Sequence, residues 1–331
     1  MMTSRVEHLL MAIATVLVFV ALRQAQEFLA PVIGALVAGI VLSPVSGLWD
    51  RWGLRASMAA FATVLLAFIA LGALGLLLEP YVSEAIDSAP IIWFEMRGAI
   101  ENLRSFLLGL DEIAEDVAKA VNPNGDGAPE KEATVPIPRA QDALFYAPQA
   151  MAQVLVFTGT LYFFLLTRRQ IYEWAGRQFD GVRQNDFFQA EREVARYFLT
   201  ITAINASFGV LIALVMQGFG MPAPFAWGLL AFLLNFVVYV GPTALAAALL
   251  LAGLVAFDGV MSIAPAAVYM MMNAFEGQFV TPALVGQSMA VNPLLVFLSL
   301  VFWLWLWGPL GGIIAIPLLI WGISLSATRT R

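Results

Sequence analysis

The 331-residue sequence has no cysteine and one histidine, His8. Without cysteine there is neither a disulfide nor a thiolate metal site, and redox chemistry says nothing about compartment. With one histidine, near the N-terminus, we expect no His-based metal cluster or catalytic triad within one chain. The GxxxxGK[ST] loop that cradles a nucleotide phosphate is absent, so the chain does not hydrolyse ATP in the usual way. No Gly-x-Ser-x-Gly elbow and no HExxH pair occur. We expect no enzyme, no cofactor and no metal. The most telling absence is of charge. From Tyr197 to Thr328 there is no lysine or arginine, and the only acids are Asp258 and Glu276. A run of that length cannot be one soluble core, because soluble domains need a charged skin. It is long enough for several bilayer crossings at about 20 apolar residues each.

What is present agrees. The chain is 61% hydrophobic and 12% charged, with mean hydropathy +0.84, against roughly 25% charged in ordinary soluble domains. The net charge of -6 is unevenly placed. Glu79–Ala147 holds thirteen acids and five bases, giving -8, whereas Arg168–Arg196 holds six bases and five acids, giving +1. The expected fold is an all-α polytopic membrane protein.

The first apolar stretch, Leu9–Leu22, follows Arg5 and could be a secretory signal. It ends in Leu22-Arg23-Gln24-Ala25-Gln26, a poor cleavage site, so an uncleaved helix is the better reading. Further spans follow at Phe28–Leu48, Ala56–Leu78 and Gln149–Thr167. The cations of short loops set orientation. Arg5, Arg51/Arg55, Arg168/Arg169 and Arg329/Arg331 alternate correctly if both termini are cytoplasmic, which puts the acidic segment 79–147 outside. The divisions are then 1–78, three membrane helices; 79–147, an extracytoplasmic segment; 148–196, a fourth helix and cytoplasmic connector; and 197–331, a membrane core.

That core breaks into six apolar pieces, four of them short and joined pairwise at Gly241-Pro242 and Gly308-Pro309. Proline removes a backbone donor and glycine frees the backbone. The pieces are either six thin spans or two full spans with two re-entrant hairpins. We favour hairpins, since broken backbone at membrane depth is tolerated where it lines a protein cavity. Tyr197–Phe257 and Met261–Ser326 share one order: long helix, proline-marked entry, apolar run, Gly-Pro, apolar run. Such units would be inverted repeats, the sequence pointer to a transporter binding site.

Outside the membrane, Trp93, Met96, Ile100, Leu103, Leu107, Leu110, Ala114, Val117 and Val121 alternate at three and four positions. This is an amphipathic helix that lies on the membrane or on its own spans, or else a coiled-coil-like self-association helix. Asn122-Pro123 ends it, and 122–138 reads as a linker. The arginines of 168–196 mark the cytosolic face and bind lipid headgroups rather than nucleic acid.

Glu276 is the candidate centre. A carboxylate at mid-membrane costs about 2.5–3.5 kcal/mol on insertion scales and is rarely kept without a use. We assign it ion or proton coupling, against the alternative of a carboxylate satisfied by backbone at a kinked helix. Asn273 and Gln278 are polar liners near it. Asn235 and Tyr239, four apart on one helical face, could meet a polar substrate or bridge helices. Asn205 and Ser207 read as glue between helices, and Trp303, Trp305 and Trp307 as an interfacial belt.

Three stretches resemble one family, the bacterial autoinducer-2 exporter family of permeases. They are Asn235-Phe236-Val237-Val238-Tyr239-Val240-Gly241-Pro242; Glu276-Gly277-Gln278-Phe279-Val280-Thr281-Pro282-Ala283-Leu284-Val285-Gly286 with Asn292-Pro293; and Gly308-Pro309-Leu310-Gly311-Gly312-Ile313-Ile314-Ala315-Ile316-Pro317-Leu318. Tyr162-Phe163-Phe164-Leu165-Leu166 is similar to the end of the family's fourth span. The first stretch departs from the pattern, with Val237-Val238 where Ile-Pro is usual, which questions a proline-dependent break there. The resemblance implies a homo-oligomeric secondary transporter of about eight spans or hairpins in the bacterial inner membrane. It would move a small polar solute such as an autoinducer-2-like signal, with proton or sodium coupling. Monovalent cation/proton antiport and a non-transporting membrane scaffold remain as alternatives. In this reading Asn235, Tyr239, Asn273, Gln278 and Thr281 bind substrate, and Gly241, Pro242, Pro282, Gly308 and Pro309 are helix breaks.

Overall fold

The computed structural model describes residues 2–80, 140–178, 182–285 and 292–328. The heptad-like seam, the linker, Gly286 and the C-terminal arginines lie outside the described residues. Among those described, every regular element is helical: α1 (Met2–Gln24), α2 (Gln26–Arg51), α3 (Ala56–Pro80), α4 (Ala140–Gln178), α5 (Gln184–Phe219), α6 (Pro224–Leu234), α7 (Val240–Ala256), α8 (Ala264–Phe275), α9 (Thr281–Val285) and α10 (Pro293–Thr328). A 3₁₀ turn, Gly259–Ile263, precedes α8, and one wide π-helical turn, Glu276–Val280, joins α8 to α9. Six helical runs among the described residues, α1 to α5 and α10, are long and apolar enough to cross a membrane. This is an all-α polytopic membrane protein. A helix satisfies its own backbone, which is why apolar spans take this form.

The local signals are readable. At the start of α5 the Asp186 carboxylate accepts from the Arg183 amide at 2.7 Å, and Gly220 ends the helix in the left-handed region at φ 74°. The connector and the first core span are one continuous helix, so α5 runs unbroken through the 196/197 position.

Each Gly-Pro pair marks a reversal of the chain. In α10 the backbone leaves helical geometry at Trp307 and Gly308, where φ is 61° at the glycine. The Ser299 hydroxyl donates to the Ala315 carbonyl at 3.2 Å, a pair that an unbroken helix would hold about 24 Å apart. Gly311 packs on the Trp303 carbonyl with no room for a Cβ. α10 is therefore two arms folded against each other. In the other pair, helix α6 stops at Leu234 and α7 begins at Val240. Gly241 sits on the Leu234 carbonyl, again without space for a Cβ. The break thus forms without the proline that the family pattern carries, and Tyr239 takes φ 66° within it, a conformation unfavourable for a side-chain-bearing residue.

Two bodies pack together. Ala35 of α2, Ala60 and Val64 of α3, and Leu161 and Leu165 of α4 form one apolar core. Phe208, Ile212 and Met216 of α5 pack with Ala231 of α6, Leu245 and Leu249 of α7 and Tyr269 of α8. α5 and α6 approach at their glycines, and a Cβ on Gly209 would stand 2.6 Å from the Gly228 carbonyl oxygen. The second arm of α10 bridges the bodies, with Ile314 against Val37 of α2 and Ile320 beside Phe187 of α5.

Two sequence readings need correction. Arg168 does not face headgroups. It is buried against Glu191 at 2.7 Å, and the Tyr172 hydroxyl donates to the other Glu191 oxygen at 2.8 Å. Trp307 is no interfacial residue either, being 2% exposed with its indole N–H donating to the Leu22 carbonyl at 3.4 Å. Trp305 is exposed, with the Arg23 guanidinium 5.6 Å from its ring centre.

Candidate functional site

A cavity of about 430 Å³ opens where the two hairpins meet α5 and the α8–α9 junction. Every residue assigned to substrate or ion from sequence reaches it: Asn235, Tyr239, Asn273, Glu276, Gln278 and Thr281 all line its wall. Of the expected helix breaks, only Pro242 does so. Gly241 works behind the wall, as the close-packing point just described. Gly308 and Pro309 form the second turn, and Pro282 lies exposed in α9. The second hairpin contributes instead through Ile313, Ile316 and Pro317.

The route by which these residues converge differs from simple helical spacing. Asn235 and Tyr239 do not share a helical face, because the chain between α6 and α7 is a turn. They reach the cavity as parts of an irregular tip. Asn273, Glu276, Gln278 and Thr281 converge because the helix widens at Glu276–Val280. Such single wide turns re-aim side chains and recur at functional sites. The Thr281 hydroxyl donates to Glu276 Oε1 across this turn. Glu276 is 8% exposed, and among the described residues no cation lies within ion-pair distance of it. Its burial against one hydroxyl and no basic group distinguishes it from Glu191, which is neutralised by Arg168.

Three amides form a directed chain beside the carboxylate. Asn273 Nδ2 donates to Asn235 Oδ1 at 3.4 Å, and Asn235 Nδ2 donates to Asn205 Oδ1 at 2.9 Å. The chain ties α8 to the hairpin tip and the tip to α5. The reading of Asn205 as interhelical glue is correct as far as it goes, but Asn205 also lines the cavity, which the sequence alone did not reveal. Among the described residues Ser207 bonds the Ala203 carbonyl of its own helix rather than a neighbouring helix. Tyr197, Phe198 and Thr243 are further wall residues that sequence reasoning missed. Phe198 stacks on Phe236 of the tip at 5.4 Å.

Among the described residues no lysine, arginine or histidine lines the cavity. On its other side Glu276 also borders an apolar groove of about 820 Å³ between α5 and α8–α9, walled by Leu211, Met271, Met272 and Phe275. The carboxylate thus stands at a partition between a polar chamber and an apolar surface. The arrangement suits binding a small polar solute or exchanging a proton or cation.

Comparison with known proteins agrees with the geometry. The family model described as AI-2E family transporter matches residues 9–328. The AI-2 transport protein TqsA of Escherichia coli K12 is 26% identical over 316 residues, covering 92% of this chain and 87% of that protein. The YhhT protein of the same organism is 26% identical over 317 residues, covering 94% and 88%.

Proposed function

The chain belongs to the AI-2E transporter family, and from that premise we propose that it is a secondary transporter of a small polar solute, coupled through Glu276 to a proton or cation. The observation that carries this reading is the placement of Glu276. It is a buried carboxylate without a cationic partner among the described residues, at a wide helical turn facing a polar cavity between two hairpins. TqsA is named for AI-2 transport, and an autoinducer-2-like signal is accordingly the first solute to try.

In this mechanism the solute binds among Asn235, Tyr239, Asn273, Gln278 and Thr281. Glu276 takes up its proton or cation while the cavity faces one side and releases it when the cavity faces the other. The hairpins supply the moving parts. A backbone that already leaves helical geometry at residues 235–239 and at Trp307–Gly308 is able to absorb a change of φ and ψ without breaking helix hydrogen bonds. The protein sits in the bacterial inner membrane as a homo-oligomer, with both termini in the cytoplasm and lipid on its apolar faces. The seam from Trp93 to Val121 is the sequence feature that supports self-association.

Glu276→Gln tests the mechanism because it keeps shape and hydrogen-bonding capacity and removes titration. In liposomes the variant should remain folded, lose solute flux driven by a proton or sodium gradient, and show a flattened pH profile. Transport with an unaltered pH profile would make Glu276 structural.

A further inference from the structure

Among the described residues, the amide chain beside Glu276 ends in an atom with nothing to bond. Asn205 accepts from Asn235 through Oδ1, while its Nδ2 is buried without a hydrogen-bond partner. The residue is 2% exposed and lines the polar cavity. A buried donor left unmade is costly, so native proteins rarely keep one without a use. The direction of the chain sharpens the point. Asn273 donates to Asn235 and Asn235 to Asn205, so each amide polarises the next and the terminal N–H is the strengthened end. Asn273 and Asn235 each donate one amide N–H within this chain, whereas among the described residues Asn205 Nδ2 donates to nothing.

We propose that Asn205 is a solute-reading residue of the transport site, and that its Nδ2 donates to a hydroxyl or carbonyl oxygen of a neutral, polyhydroxylated solute. This rests on the transport reading above and specifies its substrate class. The same cavity holds the complementary group. Glu276 and the carbonyl oxygen of Gln278 accept hydrogen bonds, so a ligand that fits must present both donors and acceptors, as neighbouring hydroxyls do. Among the described residues the cavity also has no basic side chain, and the sequence has no lysine or arginine from Tyr197 to Thr328. A phosphorylated or carboxylated solute would meet Glu276 with no compensating charge. Neutral solutes are admitted and anions refused.

The test separates reading a solute from holding helices together. Asn205→Asp retains an oxygen to accept from Asn235, so the tie between α5 and the hairpin tip survives, but the donor is gone. In proteoliposomes, counterflow of D-ribose by the wild type should exceed that of D-ribose 5-phosphate by at least tenfold. Asn205→Asp should raise KM for D-ribose about tenfold or more, with the maximal rate within about twofold. Equal KM in the two proteins would reduce Asn205 to a structural tie and overturn the inference, while wild-type flux would leave the transport reading standing. Equal flux of the phosphorylated sugar, or no flux of ribose at all, would overturn the neutral polyol class, with the parent reading judged separately by Glu276→Gln. The same bond can be probed from the ligand when the variant does not fold. Among single-deoxy analogues of ribose, at least one should lose tenfold in the wild type, since a site built to bond an oxygen rejects the analogue lacking it. If every analogue runs within twofold of ribose, the donor reads nothing and the proposal fails.

Discussion

Val237, at the tip of the first hairpin, lies directly against Gly312 in the second arm of α10: a Cβ placed on Gly312 would stand 3.2 Å from Val237 Cγ1 and 3.0 Å from Leu304 Cδ2. The two hairpins therefore touch at a position where only hydrogen fills the gap. Both are built from short apolar runs that cannot be stable alone, and each is braced by a different partner. The first is held on α5 by the Gly209–Gly228 approach and the second on α2 by Ile314. Their contact is where displacement of one is felt by the other.

Gly312→Leu should wedge this contact. Overpacking of a tight site costs about 1–3 kcal/mol, so the thermal midpoint in detergent should fall while membrane insertion is kept. Transport should fall further than stability, because the added side chain obstructs relative movement. Gly312→Ala is expected to be milder, and Val237→Ala in the same chain should restore part of its flux. Equal loss in the single and double variants would show that Leu304, not Val237, is the obstacle.

The Arg168–Glu191–Tyr172 group should behave as a buried unit. Side-chain exposure is 11% at Arg168 and 6% at Glu191, so removing one charge strands the other at a cost of about 3–5 kcal/mol. Arg168→Met should therefore destabilise more than the double change Arg168→Met/Glu191→Met. Tyr172→Phe leaves the ion pair and removes one donor, for about 1–3 kcal/mol. Melting of these proteins together with Glu191→Met in one detergent supplies the comparison, and strictly additive losses would contradict it.

The absence of cysteine makes topology directly measurable. Glu173 and Asp258 are both exposed. With cytoplasmic termini, Asp258→Cys should react with an impermeant maleimide in intact spheroplasts, and Glu173→Cys only after lysis. The reverse pattern would invert the orientation drawn from the arginines.

Much of this site was legible because membranes make polar residues conspicuous. Glu276 stood out as an acid with apolar flanks, and Gly-Pro pairs announced both reversals. What sequence could not supply was the pairing of groups across elements. Arg168 looked like an interfacial cation because its partner lies twenty-three positions away on another helix. Trp307 looked like a belt residue because its acceptor is at the end of α1. Asn205 was legible as polar but not as the end of a chain, since that depends on which amides α8 and the hairpin tip bring to it. Asn235 and Tyr239 line one cavity, but not by the helical spacing that grouped them in the sequence reading.

The wide turn has a consequence for the carboxylate itself. Glu276 and Thr281 are five positions apart, and in a regular α-helix such residues point about 140° away from each other around the axis. Their hydrogen bond exists only while the turn holds its extra residue. Were that turn to tighten to ordinary pitch, α9 would rotate, Thr281 would swing off Glu276, and both oxygens would be left to whatever occupies the chamber. The bonding state of the carboxylate and the local pitch of the helix that carries it are one variable.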